Sequence, residues 1–196
     1  MIHPDTELRK VSSEVGYGVF ATAKIPRGTI TWVLDDMDQI VSQERFGAMP
    51  PALQPLVERY CFRDSKGRYV ICWDFGRFMN HSCAATTAGI GVLCDVAIRD
   101  IEPGEQLTCE YALHNLDETV SCRCGASNCR GQIRAVDLPA IARAIDATVA
   151  MVVPEAIRRP QILVPFMRTL DRNRLEAIFQ GRESVPSCIE NGLQRS

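Results

Sequence analysis

The sequence predicts a mostly β domain with helices added at its C-terminal end. Three observations predict it. Short stretches of period-two alternation recur between residues 14 and 111, glycine and proline turn signals separate them at irregular intervals, and the pattern becomes helical after residue 133. Strands do not alternate regularly with helices, so a set of small sheets is expected and not a βαβ sandwich. At 196 residues the chain is long enough to bury a core of its own.

Residues 14–34, "EVGYGVFATAKIPRGTITWVL", alternate apolar and polar positions around turns at Gly16–Gly18 and Pro26–Gly28, which predicts a hairpin with strands near 18–23 and 29–34. From Gln39 to Phe62 the pattern is helical in two pieces, broken at Pro50 and Pro51. Period two returns in "RYVICWD" (68–74), "GIGVLCDVAIRD" (89–100) and "EQLTCEY" (105–111), with "IEPGE" as the turn between the last two. Leu138, Ile141, Ala142, Ile145, Val149 and Val152 then share one helical face, with Asp137 as N-cap and Pro139 tolerated in the first turn. Further helices are expected over 161–170 and 173–180, and residues 183–196 read as a loose tail.

A net charge of −2 and a pI near 5.9 argue against a surface built for direct nucleic-acid binding. The opening "MIHPDTELRK" has no basic segment leading into an apolar one, and the longest apolar run, around Ala150–Val153, is too short to span a bilayer. The expectation is a soluble, intracellular, cytoplasmic protein without membrane association. Nine cysteines in an aliphatic-rich chain fit a reducing compartment. Cys61, Cys72, Cys94 and Cys188 are scattered and read as small buried hydrophobes.

"CRCGASNCRG" is different. Cys122, Cys124 and Cys129 place three thiols in eight residues around Gly125, a spacing that suits one tetrahedral zinc short of a fourth ligand. Cys83 is the obvious fourth. It lies in "RFMNHSCAA" (77–85), where a histidine and a cysteine also raise the question of a thiol nucleophile beside its base. His81 and Cys83 are two residues apart in an extended turn, with side chains expected to diverge, so a Cys–His hydrolase is not favoured.

Taken together, "GYG" (16–18) before "IPRG", then "RFMNHSC", then "AIRDIEPGEQLTCEY", then C-x-C-x4-C-R-G, closely resemble in order and spacing a SET-domain protein lysine methyltransferase with its post-SET zinc loop. The resemblance covers residues 6–132 and divides the chain into a SET domain (6–120), a post-SET zinc loop (121–132), a helical extension (133–182) and the tail. It implies small curled β-sheets with a C-terminal pseudoknot. It implies S-adenosylmethionine as cofactor, leaving as S-adenosylhomocysteine, held by Gly16, Tyr17, Gly18, Arg77, Phe78, Asn80, His81 and Tyr111. Tyr111 matches the catalytic tyrosine, Cys109 and Tyr111 line the lysine channel, and Cys83, Cys122, Cys124 and Cys129 hold one structural zinc ion. The implied partner is a lysine-bearing protein or peptide, a histone tail or another basic segment, which would take the chain to chromatin if the substrate is a histone.

Three departures stand out: "AATT" follows "NHSC", no cysteine-rich segment precedes Gly16, and Tyr17 stands where tryptophan is common. The helices after Ile133 carry no recognised motif; finishing the core is the expectation, with a homodimer through them left open. Asp35, Asp36 and Asp38 read as a solvated loop. Two alternatives stay open: a non-catalytic SET-like binding module, and a methyltransferase for a non-histone protein such as a ribosomal or translation factor.

Overall fold

In the computed structural model, which describes residues 1–116 and 118–192, the chain folds as three small sheets, a two-stranded ladder and a helical layer. The N-terminal sheet starts with Thr6–Ser12 (β1) and Gly16–Ala21 (β2), an antiparallel pair closed by a turn at residues 13–15. Two further sheets use Ile30–Val33 (β3) and Gln39–Val41 (β4). The short helices Gln43–Gly47 (α1) and Gln54–Tyr60 (α2) follow, then Cys61–Arg63 (β5) and Tyr69–Ile71 (β6). Asn80–His81 (β7), Thr87–Ile90 (β8), Cys94–Ala97 (β9) and Gln106–Cys109 (β10) complete them. The orders are β1-β2-β10-β7, β3-β9-β8 and β4-β6-β5.

The predicted hairpin between β2 and β3 does not form: β2 pairs with β1 and β10, and β3 with β9. The intervening Pro26–Gly28 turn carries β3 off to another sheet. Gly28 has φ +85°, and a Cβ there would meet the backbone N of Ala156 at 2.9 Å, so the turn is packed against a helix and not folded over its own strands. The run 89–100 also divides, into β8 and β9 around the turn at 91–93.

Val120–Ser121 (β11) and Gln132–Ile133 (β12) form the ladder that brackets the cysteine loop. Leu138–Arg158 (α3) carries Pro154 inside it, while Thr169–Phe179 (α4) stands where two helices were expected over 161–170 and 173–180. Val149, Val152, Val153 and Ala156 of α3 share one core with Ile30, Val33, Ile90 and Val96. The junction is also hydrogen-bonded: Gln161 donates to the carbonyls of Gly28 and Ala156 at 2.8 Å and accepts from Ile30 N. The helical extension therefore finishes the core of the β region. Burial of that many aliphatic side chains decides its position, because helix propensity alone holds a helix in water only weakly.

Two expectations fail. The segment 183–192 is not loose: Cys188 is 1% exposed, its backbone N donates to Asp146 at 2.7 Å, and Pro186 packs on Gly91. Residues 193–196 of the expected tail lie outside the described residues. Asp35 and Asp38 are buried, with only Asp36 in solvent. Trp73 explains this, its indole N–H donating to Asp35 at 3.0 Å and its backbone N to Asp38 at 3.1 Å. Among the described residues no helix is long and apolar enough to cross a membrane.

Candidate active site

The site is organised by two strands that run parallel, β7 and β10, with Thr108 beside Asn80 and Cys109 beside His81. Asp74 caps the 3-10 turn Phe75–Phe78 by accepting from Gly76 N at 2.9 Å, which sets the approach of the chain to β7. Beyond β10 the chain turns through Tyr111–Leu113, and Glu110 caps that turn by accepting from Ala112 N at 3.0 Å. Tyr111 is thereby folded back onto β7. Its hydroxyl donates to the Met79 carbonyl at 2.8 Å, and its backbone N donates to His81 Nδ1 at 3.3 Å. Burial pushes the phenol far above its usual range, so Tyr111 is a neutral hydroxyl at any physiological pH.

The glycine turn meets the same strands. Gly16 has φ +89°, Tyr17 offers its carbonyl to Asn80 Nδ2 at 2.9 Å, and the Tyr17 ring lies edge-on to Phe78 at 6.2 Å. Arg77 sits 5.2 Å from the centre of the Phe78 ring. A Cβ on Gly18 would stand 2.6 Å from Gln106 Nε2 and 2.8 Å from Asn80 Nδ2. Gly16, Tyr17, Gly18, Arg77, Phe78 and Asn80, far apart in sequence, are thus one cluster. We expect Gly18→Ala to displace Asn80 and Gln106 and cost about 1–3 kcal/mol of stability; urea denaturation alongside cofactor titration checks it, with the binding loss exceeding the stability loss.

Two cavities flank β10, and the strand's alternation assigns its side chains between them. Gln106 and Thr108, with Val15, Asn80, His81 and Cys124, line a cavity of about 290 Å³. Cys109, with Met79 and Tyr111, lines a larger one of about 1300 Å³. Cys109 is 7% exposed and burial holds its thiol protonated. His114, which sequence reasoning passed over, closes the large cavity: its ring lies 5.2 Å from Tyr111 and 5.4 Å from Phe62, and burial lowers it to about 4, leaving it neutral.

The cysteine loop reaches the site through Cys83. Its backbone N donates to Cys124 Sγ at 3.4 Å, and its sulfur lies 3.8 Å from Cys122 Sγ. Cys129 Sγ is 3.7 Å from Cys122 Sγ. Two thiolates held ~2.3 Å from one tetrahedral ion would lie ~3.8 Å apart, so this spacing fits a shared metal. The donors that all lie within 4.8 Å of one another are His81, Cys83, Cys122 and Cys124. His81 enters that set because its Nε2 stands 3.4 Å from Cys83 Sγ, so the two side chains converge where the extended turn predicted divergence. Burial opposes ionisation of Cys124. Hydrogens from the N–H groups of Cys83 and Ala126 and from the thiols of Cys122 and Cys129 overcome it and lower Cys124 to about 6. None of the nine cysteines is in a disulfide. A thiolate-rich, closed donor set of this kind suits zinc.

Glu110 and Arg130 were also missed. Arg130 follows Cys129 directly and pairs with buried Glu110 at 2.8 Å, while its backbone N donates to Cys83 Sγ at 3.4 Å. The pair ties the cysteine loop to the turn that carries Tyr111. A carboxylate next to the turn tyrosine and an arginine beside a loop cysteine look like ordinary surface charges in sequence, since their meeting depends on the fold.

Comparison with known proteins agrees with this geometry. The SET domain family model matches residues 16–112. Histone-lysine N-methyltransferase mes-4 of Caenorhabditis elegans is 28% identical over 137 residues, covering 59% of this chain and 15% of the relative. The H3 lysine-4 specific histone-lysine N-methyltransferase of Schizosaccharomyces pombe is 36% identical over 67 residues, covering 31% of this chain and 7% of the relative. The chain thus spans a small part of the length of these relatives. Among solved structures, the methyltransferase domain of human SETMAR superposes with a TM-score of 0.47 at 19% identity, covering 68% of this chain and 58% of that one. With the glycine turn, the "NHSC" strand and the tyrosine turn meeting around one strand, and with residues 16–112 matching the family model, this chain belongs to the SET-domain family.

Proposed function

We propose that the chain is a protein-lysine N-methyltransferase that uses S-adenosylmethionine. The observation that carries this reading is the position of Tyr111, a half-buried neutral hydroxyl pinned to the Met79 carbonyl next to a cavity lined by Cys109, while β7 and the other face of β10 line a second cavity. The cofactor would lie on Gly16, Tyr17, Gly18, Arg77, Phe78, Asn80 and His81, of which Asn80 and His81 line the smaller cavity and Arg77 the larger. The larger would take the target lysine.

When bound, the cofactor supplies a methyl group already activated for transfer. What remains for the chain is alignment, exclusion of water and maintenance of a neutral amine. The apolar walls around Cys109 favour the neutral amine by withholding solvent from its charged form. Tyr111 cannot act as a base, since burial keeps its proton on; it orients polar and weak C–H···O contacts at the reacting centre. Cys83, Cys122, Cys124 and Cys129 would hold one structural zinc ion, with His81 as a competing donor, and so tie the loop to β7. The substrate would be a histone tail or another basic segment laid in extended form along the groove.

Cys109 bears on the product. The resemblance places an aromatic residue at this position, where a tyrosine hydroxyl would hold the amine and fill the channel. A thiol is smaller and a weak donor, leaving space for a methylated amine to turn and react again. The expected products are di- and trimethyl-lysine, and Cys109→Tyr shifts them toward monomethyl-lysine in mass spectra of long incubations. A wild-type enzyme that stops at one methyl would remove the argument. Incubation with labelled S-adenosylmethionine against histones and against a whole-cell lysate tests the function itself. Label on lysine is expected; cofactor binding with no transfer to any protein would leave a binding module instead.

A further inference from the structure

One oxygen of Glu110 joins two parts of the molecule that the mechanism above treats separately. Glu110 Oε1 accepts from Ala112 N at 3.0 Å, capping the turn Tyr111–Leu113, and from Arg130 Nη2 at 2.8 Å. Glu110 is 8% exposed, so water does little for its charge. His81 Nδ1 stands 3.6 Å from the same oxygen, but it accepts the Tyr111 N–H and has no proton to offer there. Among the described residues Arg130 is therefore the one cation that compensates Glu110.

The base of the Arg130 side chain is fixed as well. Its N–H donates to Cys83 Sγ at 3.4 Å, Cys129 N before it donates to the Ala126 carbonyl at 3.0 Å, and the Gly131 carbonyl after it accepts from Cys122 N at 2.9 Å. The fold of the cysteine loop thus delivers the guanidinium to a carboxylate 20 residues earlier in the chain. The loop's other arginine gives the contrast. Arg123 meets Glu14 at 3.5 Å with both side chains mostly in solvent, a kind of pair that contributes little. Without Arg130, by comparison, Glu110 would be a lone buried charge and would have to turn toward water. The cap on Ala112 N would go with it.

We propose that Arg130 is a positioning residue for methyl transfer: through Glu110 it holds the turn that sets the Tyr111 hydroxyl against the Met79 carbonyl. The effect on transfer rests on the methyltransferase reading; the latch between Arg130 and the Tyr111 turn does not. Arg130 lines neither cavity, so what it does for the rate passes through Tyr111. Any state of the cysteine loop that withdraws Arg130 also withdraws the countercharge of Glu110. The loop thereby reaches the reacting centre without this arginine touching cofactor or substrate.

The test uses the full chain with Arg130→Met, which removes the charge and keeps much of the stem. It is expected to retain its zinc and its cofactor affinity within about threefold, while kcat falls about tenfold or more with little change in KM, since misalignment is felt by the chemical step. Arg130→Lys is expected to recover most of the rate, because a single N–H···O contact does not need the guanidinium fork. Glu110→Gln keeps an acceptor for Ala112 and loses the charge. It is expected to slow transfer to a similar degree, with the double variant no slower than the worse of the two. The chain has four tyrosines, so Tyr111→Phe assigns the Tyr111 ring signal in tyrosine-labelled protein. Arg130→Met is expected to move that signal and Arg130→Lys to return it toward its wild-type position. An unmoved signal with an unchanged rate in Arg130→Met overturns the proposal, as do losses that multiply in the double variant. Zinc and cofactor binding that fall as far as the rate overturn it too, leaving Arg130 a support of the loop alone. If Arg130→Met does not fold, the same readouts on Glu110→Gln decide. A moved Tyr111 signal in a chain that transfers no methyl group would sink the enzyme reading and leave the latch standing; transfer with an unmoved signal would do the reverse.

Discussion

Tyr111→Phe is expected to remain folded, to bind cofactor with nearly unchanged affinity and to lose about 100-fold or more of its methyl-transfer rate. The fold should survive because the ring stays. It keeps its contacts with His81 at 5.6 Å and His114 at 5.2 Å, and the backbone bond to His81 does not involve the hydroxyl. What is lost is one hydrogen bond to the Met79 carbonyl, worth about 1 kcal/mol, which in a chain of this size lowers Tm by about 2–4 °C. The rate should fall much further. A hydroxyl fixed before the reaction costs no reorganisation when charge moves, and that advantage belongs to the transition state and not to the bound ground state. Thermal denaturation, cofactor titration and single-turnover rates separate the three quantities. A rate within a few-fold of wild type would remove Tyr111 from its assigned role.

Metal removal should have the second large effect. Purified protein is expected to carry about one zinc per chain, and chelation to release it with loss of the loop's structure and of cofactor binding. The segment has little else to hold it. β11 and β12 make only two residue pairs, and the apolar cluster beneath them is anchored by Ala112, Cys122 and Ile133. A structural zinc supplies far more, about 10–16 kcal/mol of apparent binding energy in small domains. Trypsin then has two exposed targets in the loop, Arg123 and Arg130, and cleavage there should quicken on chelation while the sheets around β2 and β9 resist. Cys124→Ser should mimic chelation. Active protein with a metal-to-chain ratio near zero would refute the site.

Much of this architecture was legible in the residues, for reasons that can be named. β2, β9 and β10 are period-two strands whose inward positions Val19, Val96 and Leu107 are completely buried, so hydrophobic alternation found them. Partners were harder. β2 and β3 look like a hairpin because they are neighbours with a proline–glycine turn between them, and nothing local says that β10 competes successfully for the edge of β2. β1 escaped because "TELRKVS" is half-exposed throughout and shows no clean alternation. α3 runs on past Pro154, and the shared core around Val152, Val153 and Ala156 carries the helix through it. The motif residues of the site were visible because short patterns mark them. His114, Glu110 and Arg130 gain their places in the site only from burial and from partners distant in the chain.

The placement of β10 between β2 and β7 also governs when the protein can come together. Leu107 pairs with Val19 and Thr108 with Asn80, so the central strand of the N-terminal sheet is the last of its four to be synthesised. Until it arrives, β2 has a partner on one side only, and Asn80–His81 has no partner in the sheet at all. Loop closure over most of the domain must precede those contacts, which makes folding slow relative to a helical chain of the same size. A nascent chain halted before residue 106 presents the free edge of β2, a template for pairing with other chains. Tyr111 lies just beyond that strand. The site is therefore one of the last features of the β region to form, and no shorter intermediate of synthesis can hold both cavities in register.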